Sequence, residues 1–511
     1  MPLAWRLLVI GALLFMLMPL LVLLAGSLQF PEGSWSLGNY AQLAGDGRQL
    51  LLLARSLALA AATTLACLSV GVPVAVLAAK TDLPGRQLWL ALFSAPLALP
   101  SYVFAQGWFR LLGKQGIGAS EFLFSLSGAV LVLMCALLPI TILLTAAGLS
   151  FVPPALEDAG RIAAPWPRVL ASITLPLARP AIATAALITF LLALGDYGAP
   201  AFLRVSVFPV ESFTQISAFY DPGAAAAAWA PLLLIVALAV VAGRSNLATF
   251  QRSHWSFGAS QPAPLGRWRY VALTGVVGGS LLFVVLPVAA LAAQGVSASA
   301  VRDAWPLAWD GLAWSALDSG LAATLVCAVG FIAARYPPAV RLDCVGLGAF
   351  ALFAVPGPLL AFAMAVAWNR PSFARFYGSP ALLVCALAIQ YVAVGVLAFR
   401  AALAQLSPSL ESAAEVAGAG WWMRTRTIVW PLVGRTAIVV WLLTFVLCIR
   451  DTSLPLQLSP PGQDPLTART LTLAANGSDQ TIAALCLFSV LLAIAPLTIL
   501  WAPALRGRHR A

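Results

Sequence analysis

The sequence predicts an all-α, polytopic membrane protein of about twelve transmembrane helices, arranged as two parallel six-helix repeats. Of its 511 residues, 61% are hydrophobic and 9% are charged, whereas roughly one quarter of the residues in soluble domains are charged. Runs of about 20 apolar residues, long enough to cross a hydrocarbon core, recur along the whole chain. A polar loop occurs twice, ending at Pro176 and at Pro431, 255 residues apart. The composition and the repeat together indicate a duplicated bilayer protein.

Six predicted spans lie in each half of the chain. The first six cover residues 7–28, 51–79, 88–111, 128–149, 179–202 and 224–243. The second six cover residues 270–294, 311–334, 343–369, 380–403, 433–450 and 482–504. The first run follows Arg6, as in a signal peptide, but its apolar stretch is longer than a typical signal and more spans follow. We therefore expect an uncleaved first helix.

Basic residues predict the orientation in the membrane. An even number of spans places both termini on one side, and the loops on that side carry most of the 29 lysine and arginine residues. The positive-inside rule then places the termini and both copies of the repeated loop in the cytoplasm. The formal net charge of +11 follows from this topology, so we expect the lipid bilayer and no nucleic acid as a partner.

The repeat predicts the domain organisation. We expect a first half over residues 1–243 with its loop at residues 151–176, and a second half over residues 270–511 with its loop at residues 405–431. A cytoplasmic linker rich in Ser, Gly, Pro and Arg joins them over residues 244–269. Because each half has an even number of spans, the two copies share one orientation and should be related by an axis along the membrane normal.

Residue matches between the halves extend beyond the loop. They are Thr64 with Thr324, Pro96 with Pro356, Trp108 with Trp368, and Asp196 with Asp451. The first three pairs have an offset of 260 residues and the last has an offset of 255. These pairs support a duplication of the whole half.

The repeated loop has the same order of residue types in both copies. Each copy begins with an acidic, helix-like segment, passes through small residues and then bulky basic and aromatic ones, and ends in a proline before the next span. Small residues let another backbone approach closely, and a proline in the first turn sets the direction of the following helix. The small residues are Ala159, Gly160, Ala163 and Ala164 in the first copy, and Ala413, Ala414, Gly418 and Ala419 in the second. The pattern favours a docking surface over an ordinary hairpin between spans.

At these loops the chain resembles the permease subunits of binding-protein-dependent ABC importers, whose hallmark is a cytoplasmic Glu-Ala-Ala loop ending in Leu-Pro. The matching positions are Glu157, Asp158, Ala159, Ile173, Leu175 and Pro176 in the first copy, and Glu411, Ala413, Ala414, Gly418, Ala419, Ile428 and Pro431 in the second. In the second copy Trp430 replaces the family leucine. In the first copy Ala163 or Ala164 stands where the family glycine is expected, and that copy is one residue shorter. We therefore expect two unequal docking surfaces.

The resemblance implies that each loop forms a coupling helix, which inserts into a groove on a separate ATP-hydrolysing subunit. The chain has no GxxxxGK[ST] phosphate-binding loop, so we expect a transport subunit that is not an enzyme and binds no cofactor itself. ATP and Mg²⁺ would be used by its partners. Two loops imply two copies of a cytoplasmic ATP-binding subunit in a bacterial inner membrane, and the family implies a periplasmic substrate-binding protein.

The fused two-half architecture resembles that of ferric-iron permeases and of the related thiamine group. The outer loop at residues 460–466, with the sequence PPGQDPL, and residues 195–203, with the sequence GDYGAPAFL, both look like segments of ferric-iron permeases. Arg450 and Asp451 depart from the basic-Glu-Leu-Pro sequence that is more common there. Ferric iron is the predicted substrate, and thiamine, a polyamine or a phosphonate are the alternatives within the same role.

Ionisable residues at membrane depth are candidates for the translocation pathway, because burying them is costly. Asp196, Tyr197 and Asp451 lie near the predicted outer ends of spans, where they form a shared gate, contact the binding protein, or simply cap helix ends. Pro96 and Pro356 kink their spans, as in pathway-lining helices or in merely packed ones.

Cysteines in apolar runs without CxxC spacing, and two histidines in polar segments, predict no metal site. Two other classes of protein are more distant alternatives. A secondary transporter would need intramembrane carboxylates for coupling and would have no use for paired docking loops. A membrane-embedded enzyme would need clustered catalytic residues, which the sequence does not display.

Overall fold

The computed structural model describes residues 3–28, 38, 40, 45, 47–113, 117–211, 222–252, 262–335, 344–474 and 477–506. Over these residues the regular structure is helical, with one isolated bridge between Thr81 and Ala263. Helices dominate because a backbone in hydrocarbon has no water to bond with and must pair its own N–H and C=O groups. The predicted all-α class is confirmed.

The first half contains eleven described α-helices. They are α1 Leu3–Ser27, α2 Gly47–Lys80, α3 Arg86–Ser94, α4 Ser101–Leu112, α5 Ile117–Leu123, α6 Leu126–Ser150, α7 Pro154–Ala163, α8 Trp166–Val169, α9 Leu175–Gly195, α10 Gly198–Phe202 and α11 Pro222–Arg252.

The second half repeats this order. Its helices are α12 Arg269–Ser280, α13 Leu286–Gly295, α14 Ala298–Ala334, α15 Cys344–Ala354, α16 Gly357–Trp368, α17 Ala374–Tyr377, α18 Pro380–Ala404, α19 Pro408–Val416, α20 Trp421–Arg424, α21 Trp430–Arg450, α22 Ser453–Leu458, α23 Leu466–Leu473 and α24 Asp479–Arg506.

The predicted spans fall on these helices, but not all as single rods. Within the described part of the chain, nine helices are long and apolar enough to cross a membrane. Two more spans are broken pairs, α3 with α4 and α15 with α16, which bend by 101° and 103°. The first predicted span lies in α1, whose described apolar portion, Leu14–Ser27, is shorter than a span. The structure therefore supports nine to eleven of the twelve predicted spans.

The halves match most closely where each leads out of its repeated loop. Helix α8, the five-residue π-helical segment Leu170–Thr174 and α9 recur as α20, the π-helical segment Thr425–Val429 and α21, with every boundary shifted by 255 residues. Each series forms one continuous helical stretch, because no turn interrupts it. The duplication is confirmed at the level of individual turns.

The broken spans correct one of the predicted residue pairs. Pro356 directly precedes α16, and the proline that directly precedes α4 is Pro100. Pro96 lies four residues earlier, inside the 3-10 turn Ala95–Ala98. The structure thus pairs Pro356 with Pro100, at an offset of 256 residues, and the 260-residue offset between Pro96 and Pro356 is wrong.

The predicted linker is partly helical and partly fixed to the first half. Helix α11 continues to Arg252, which covers the linker's first nine residues, and residues 253–261 lie outside the described part of the chain. The backbone N–H of Ala263 then donates to the carbonyl of Lys80 at 2.9 Å, and the N–H of Leu265 donates to the carboxylate of Asp82 at 2.9 Å. These bonds fasten the end of the linker to the last residue of α2 and to the turn that follows it.

Small residues allow the helices of each half to cross closely, as membrane helices do when apolar driving force is absent. One such close crossing joins α14 and α18. A Cβ atom added at Gly395 would lie 2.6 Å from the carbonyl oxygen of Val326, and one added at Gly330 would lie 2.7 Å from the backbone of Gly395. Neither position has room for a larger residue without moving a helix.

Substitution Gly395→Val should therefore lower the thermal midpoint of the purified chain, because overpacking a close helix crossing costs about 1–3 kcal/mol. Gly348→Val on α15 is the matched control, since nothing lies within 4 Å of a Cβ there. Equal midpoints for the two variants would contradict the close crossing.

Candidate functional site

The first repeated loop is built around α7, an amphiphilic helix of ten residues. Pro153 and Pro154 start it, a favoured use of proline because the first helical turn has unpaired N–H groups anyway. Glu157 lies in the first turn, where a negative charge interacts favourably with the helix dipole. The helix ends at Ala163, because Ala164 is extended, as residues before a proline usually are.

A buried ion pair fastens α7 to the core of the first half. The Lys80 Nζ donates to Glu157 Oε2 at 2.8 Å, and Thr174 Oγ1 donates to Glu157 Oε1 at 2.8 Å. The whole residues Lys80 and Glu157 are 7% and 6% exposed. Removing one partner of such a pair leaves an uncompensated buried charge, which is strongly unfavourable. The first loop is therefore fixed relative to the end of α2.

The second loop is fastened by a corresponding but more open pair. Arg335 donates to both carboxylate oxygens of Glu411, at 2.7 and 3.3 Å, and its Nη2 also donates to Thr425 Oγ1 at 3.3 Å. The arginine also lies 5.7 Å from the ring centre of Trp421. A planar guanidinium can hold a carboxylate through two bonds, whereas an ammonium cannot. The Glu411 side chain is 33% exposed, so water screens this pair more than the first one.

Lys80 and Arg335 are the partners of the loop glutamates, and the sequence analysis missed this role. They lie 255 residues apart at the ends of α2 and α14, the offset of the loops themselves. This shared offset is the signal in the sequence that could have identified the two residues as equivalent. The two threonines are not equivalent, because they lie one helical turn apart in the repeat: Val429 occupies the position of Thr174, and Leu170 that of Thr425. Similar anchors are thus built from different residues.

The two repeated loops turn differently after α7 and α19. Gly418 has a φ of +84°, in the left-handed region, and its N–H donates to the carbonyl of Glu415 at 2.9 Å. Glycine adopts this conformation at no steric cost. The first loop turns through extended Ala164 instead and needs no such residue. The glycine absent from the first copy is therefore a consequence of its shorter turn.

Helices α7 and α19 expose apolar side chains at matching positions. Ile162 and Val416, each five residues after the loop glutamate, are both 90% exposed. Leu156 and Leu410, each one residue before it, are both 48% exposed. The other predicted loop residues differ in exposure. Those that are exposed are Asp158, Ala159, Ala163, Ala413 and, at the start of α21, Pro431. Those that are partly exposed are Ala414, Ala419 and, at the start of α9, Leu175 and Pro176. We call Leu156, Ile162, Leu410 and Val416 the apolar docking residues.

A cavity of about 90 Å³ lies between the two halves. Four of the five predicted pathway residues, Asp196, Tyr197, Pro356 and Asp451, line it, and Pro96 is not among the lining residues. Its other lining residues are Ser101, Leu137, Leu191, Leu192, Gly195, Phe353, Ala354, Val355, Gly357, Gln390, Tyr391, Leu447, Arg450, Thr452 and Ser453. Helices α4 and α16, the second parts of the two broken spans, both begin at this cavity.

The two cavity aspartates cap short helices that follow the long spans. Asp196 accepts from Ser101 Oγ at 2.9 Å and from the N–H of Ala199 in α10 at 3.0 Å. An acidic side chain satisfies otherwise unpaired N–H groups at a helix start. Asp196 therefore caps a helix and lines the cavity at the same time.

The second aspartate is held in the same way. Asp451 accepts from the N–H groups of Ser453 and Leu454 in α22, at 2.9 and 3.0 Å, and from the Tyr391 hydroxyl at 2.9 Å. Across the described residues, no group of three or more His, Cys, Asp or Glu side chains is placed to hold a metal ion.

Comparison with known proteins gives one family and relatives of two kinds. The family described as "Binding-protein-dependent transport system inner membrane component" matches residues 71–252 and 327–502. A probable molybdenum ABC transporter permease protein of Haloferax volcanii is 31% identical over 250 residues, covering 47% of this chain and 88% of the relative. The molybdenum transport system permease protein ModB of Escherichia coli is 30% identical over 200 residues, covering 36% of this chain and 86% of the relative.

The third relative extends over both halves. The putative ferric transport system permease protein FbpB 1 of Haemophilus influenzae is 24% identical over 405 residues, covering 70% of this chain and 62% of that relative.

Breaking the two ion pairs of the loops should lower the free energy of unfolding by unequal amounts. Lys80→Met should lower the free energy of unfolding by about 3 kcal/mol, because the Glu157 carboxylate stays buried without its cation. Arg335→Met should cost about 1 kcal/mol, because water reaches Glu411. Unfolding titrations of the purified chain in sodium dodecyl sulfate measure both. Adding Glu157→Leu to Lys80→Met should recover most of the loss, and an equal cost for the two single variants would contradict the difference in burial.

Proposed function

The chain belongs to the family of binding-protein-dependent transport system inner membrane components, the permeases of ABC importers, and we propose that it forms the path by which ferric iron crosses the bacterial inner membrane. In this proposal two copies of a cytoplasmic ATP-binding subunit drive the transport, and a periplasmic binding protein delivers the substrate. The chain itself supplies neither nucleotide chemistry nor a resident cofactor. Both termini face the cytoplasm, as the distribution of basic residues predicts.

The observation that carries the proposed partner is the exposure of apolar side chains at matching positions on the two loops. Ile162 and Val416 are each 90% exposed, and Trp422 and Met423 of the second loop are 63% and 60% exposed as well. Apolar side chains exposed to this extent at two matching positions are typical of contact surfaces for another protein. Because the positions match between the halves, two copies of one partner fit better than a single partner.

The fold offers a direct path for transmitting motion from the loops to the cavity. The continuous helical stretch Trp421–Arg450 has 30 residues, so it is about 45 Å long. One end adjoins the second coupling helix, and the other end adjoins Asp451 at the cavity. The matching stretch of the first half runs from Trp166 to Gly195 and ends beside Asp196. When ATP binding draws the two partner subunits together, the loops move with them, and these stretches carry the movement to the cavity.

Two observations support ferric iron as the substrate. The ferric relative matches this chain over both halves, whereas the molybdenum relatives named above match less than half of it. The sequence PPGQDPL at residues 460–466 resembles the outer loop of ferric-iron permeases.

A second candidate is an oxyanion of the molybdate kind. Helices α4 and α16 begin at the cavity, and Arg450 lines it. Helix N-termini and guanidinium groups favour anions. The molybdenum relatives are also the more similar ones residue for residue, at 30–31% identity against 24%.

Replacing Ile162 and Val416, the two most exposed of the apolar docking residues, by charge should release the ATPase. We expect Ile162→Asp together with Val416→Asp to abolish co-purification of an ATP-binding subunit with the tagged chain, because a carboxylate cannot be buried in an apolar groove without a partner. Ile162→Val together with Val416→Ile preserves the apolar surface and is the matched control. Retention of the subunit by the Asp variant would overturn the proposed docking surface.

Uptake by cells with and without the chain distinguishes the two substrates. Radioactive ferric iron should accumulate only in cells that carry the chain, and radioactive molybdate should accumulate equally in both. Chain-dependent accumulation of molybdate without iron would replace the first candidate by the second. Unchanged uptake of both would contradict both substrates.

A further inference from the structure

The ends of the two long helical stretches each contact the broken span of the opposite half. Gly195 and Arg450 are the last residues of α9 and α21 and lie 255 residues apart. A Cβ atom added at Gly195 would lie 3.1 Å from the Cα atom of Pro356, at the break between α15 and α16. Arg450 Nη1 donates to the carbonyl oxygen of Leu97 at 3.2 Å, at the break between α3 and α4. Each half thus contacts the break of the other at matching positions. The contact of Gly195 is a close backbone approach, and the contact of Arg450 is a hydrogen bond.

The carbonyl of Leu97 accepts from Arg450 because the break removes the nearest backbone donor. In the 3-10 turn Ala95–Ala98, the N–H of Leu99 donates to the carbonyl of Pro96 at 3.0 Å. The next bond of that series would come from the nitrogen of Pro100, which carries no hydrogen. Arg450, a residue of the other half, supplies a donor instead. A bond between the halves therefore depends on the proline that breaks the span.

The same arginine is the one basic residue among the described residues that line the cavity. Asp196 and Asp451, which belong to different halves, line this cavity with it. Charges act on each other strongly where water is scarce, as in a cavity this small. Asp196 and Asp451 would repel each other across the interface if Arg450 were neutral. One side chain thus offsets this repulsion and also bonds to the opposite half.

We propose that Arg450 is a latch that holds the two halves closed around the central cavity and is released during each transport cycle. The proposal rests on the permease function proposed above. Arg450 acts as a positioning residue, because it sets the relative position of the broken span and the two acids. When the halves separate, the Leu97 carbonyl and the carboxylates lose this partner, and water entering the opened path replaces it. Arg450 therefore stabilises the closed arrangement, and it no longer does so once water fills the opened cavity.

Cysteine labelling of the chain in membranes tests the latch without an ATPase. Val355 lines the cavity and is 5% exposed, so a Val355→Cys variant should react slowly with a membrane-impermeant maleimide. Adding Arg450→Gln should accelerate labelling about tenfold or more, since a hydrogen bond to a charged group shifts an equilibrium by at least that factor. Arg450→Gln without the new cysteine gives the background from native thiols.

Two further variants separate a latch from a general loss of structure. Arg435→Gln, an exposed arginine on the same helix α21, is the matched control and should leave the labelling rate unchanged. Asp196→Asn combined with Arg450→Gln removes one of the repelling charges and should return part of the way to the slow rate. A labelling rate for Arg450→Gln equal to that of the parent would overturn the latch, and so would a double variant as fast as Arg450→Gln alone.

A second readout distinguishes failure of the latch from failure of the proposed function. In the complex with its ATPase, Arg450→Gln should raise ATP hydrolysis in the absence of binding protein about tenfold, because less work is needed to open the path. Arg450→Lys keeps the charge and should give a smaller increase. Absence of hydrolysis even with the parent chain and binding protein would contradict the permease function. Normal stimulated hydrolysis that Arg450→Gln leaves unchanged would contradict the latch alone.

Discussion

The structure depends on one interaction made twice: a glutamate in each repeated loop pairs with a basic residue at the end of the second span of its half. Glu157 with Lys80 and Glu411 with Arg335 join α7 and α19 to the apolar core. A helix outside the apolar spans has no hydrocarbon around it to fix its position. The ion pair supplies that position, so a force applied to the loop reaches the transmembrane helices instead of bending a hinge.

The second constraint is the hydrogen bonding of backbone in a bilayer. Two spans bend by more than 100°, and their unpaired backbone groups are tolerated because the breaks face a cavity and other polar groups. The same breaks are where the ends of the long helical stretches arrive, at Gly195 and Arg450. Each long helical stretch therefore links the loop anchor of its own half to the broken span of the opposite half. The two halves differ in detail. The first pairs the ammonium of Lys80 with a buried carboxylate and turns through extended Ala164. The second pairs the guanidinium of Arg335 with a partly exposed carboxylate and turns through Gly418.

Much of this architecture was predictable from the sequence, because apolar run length fixes the spans and an internal repeat fixes the symmetry. The pairing of Asp196 with Asp451 and the position of both loops were correct for that reason. The partners of the loop glutamates were not predictable from a local pattern, since Lys80 lies 77 residues before Glu157 and reads as an ordinary positive-inside residue. The pairing of Pro96 with Pro356 failed because proline-rich breaks contain several candidates, and only the helix starts show that Pro100 is the equivalent. Arg450 was identified as a neighbour of Asp451, but its bond to Leu97 crosses between the halves and has no sequence signature.

The central claim is that the two loops move as rigid extensions of their halves when the partner ATPases close. The most direct test is the distance between spin labels at Ala155→Cys and Ser409→Cys, the matching first-turn positions of the two coupling helices, in the complex with its ATPase and in a background without native cysteines. Addition of ATP and vanadate should shorten this distance and keep a single narrow distribution. An unchanged distance would contradict the account, and so would a broad distribution that showed the loops moving independently of the spans to which they are anchored.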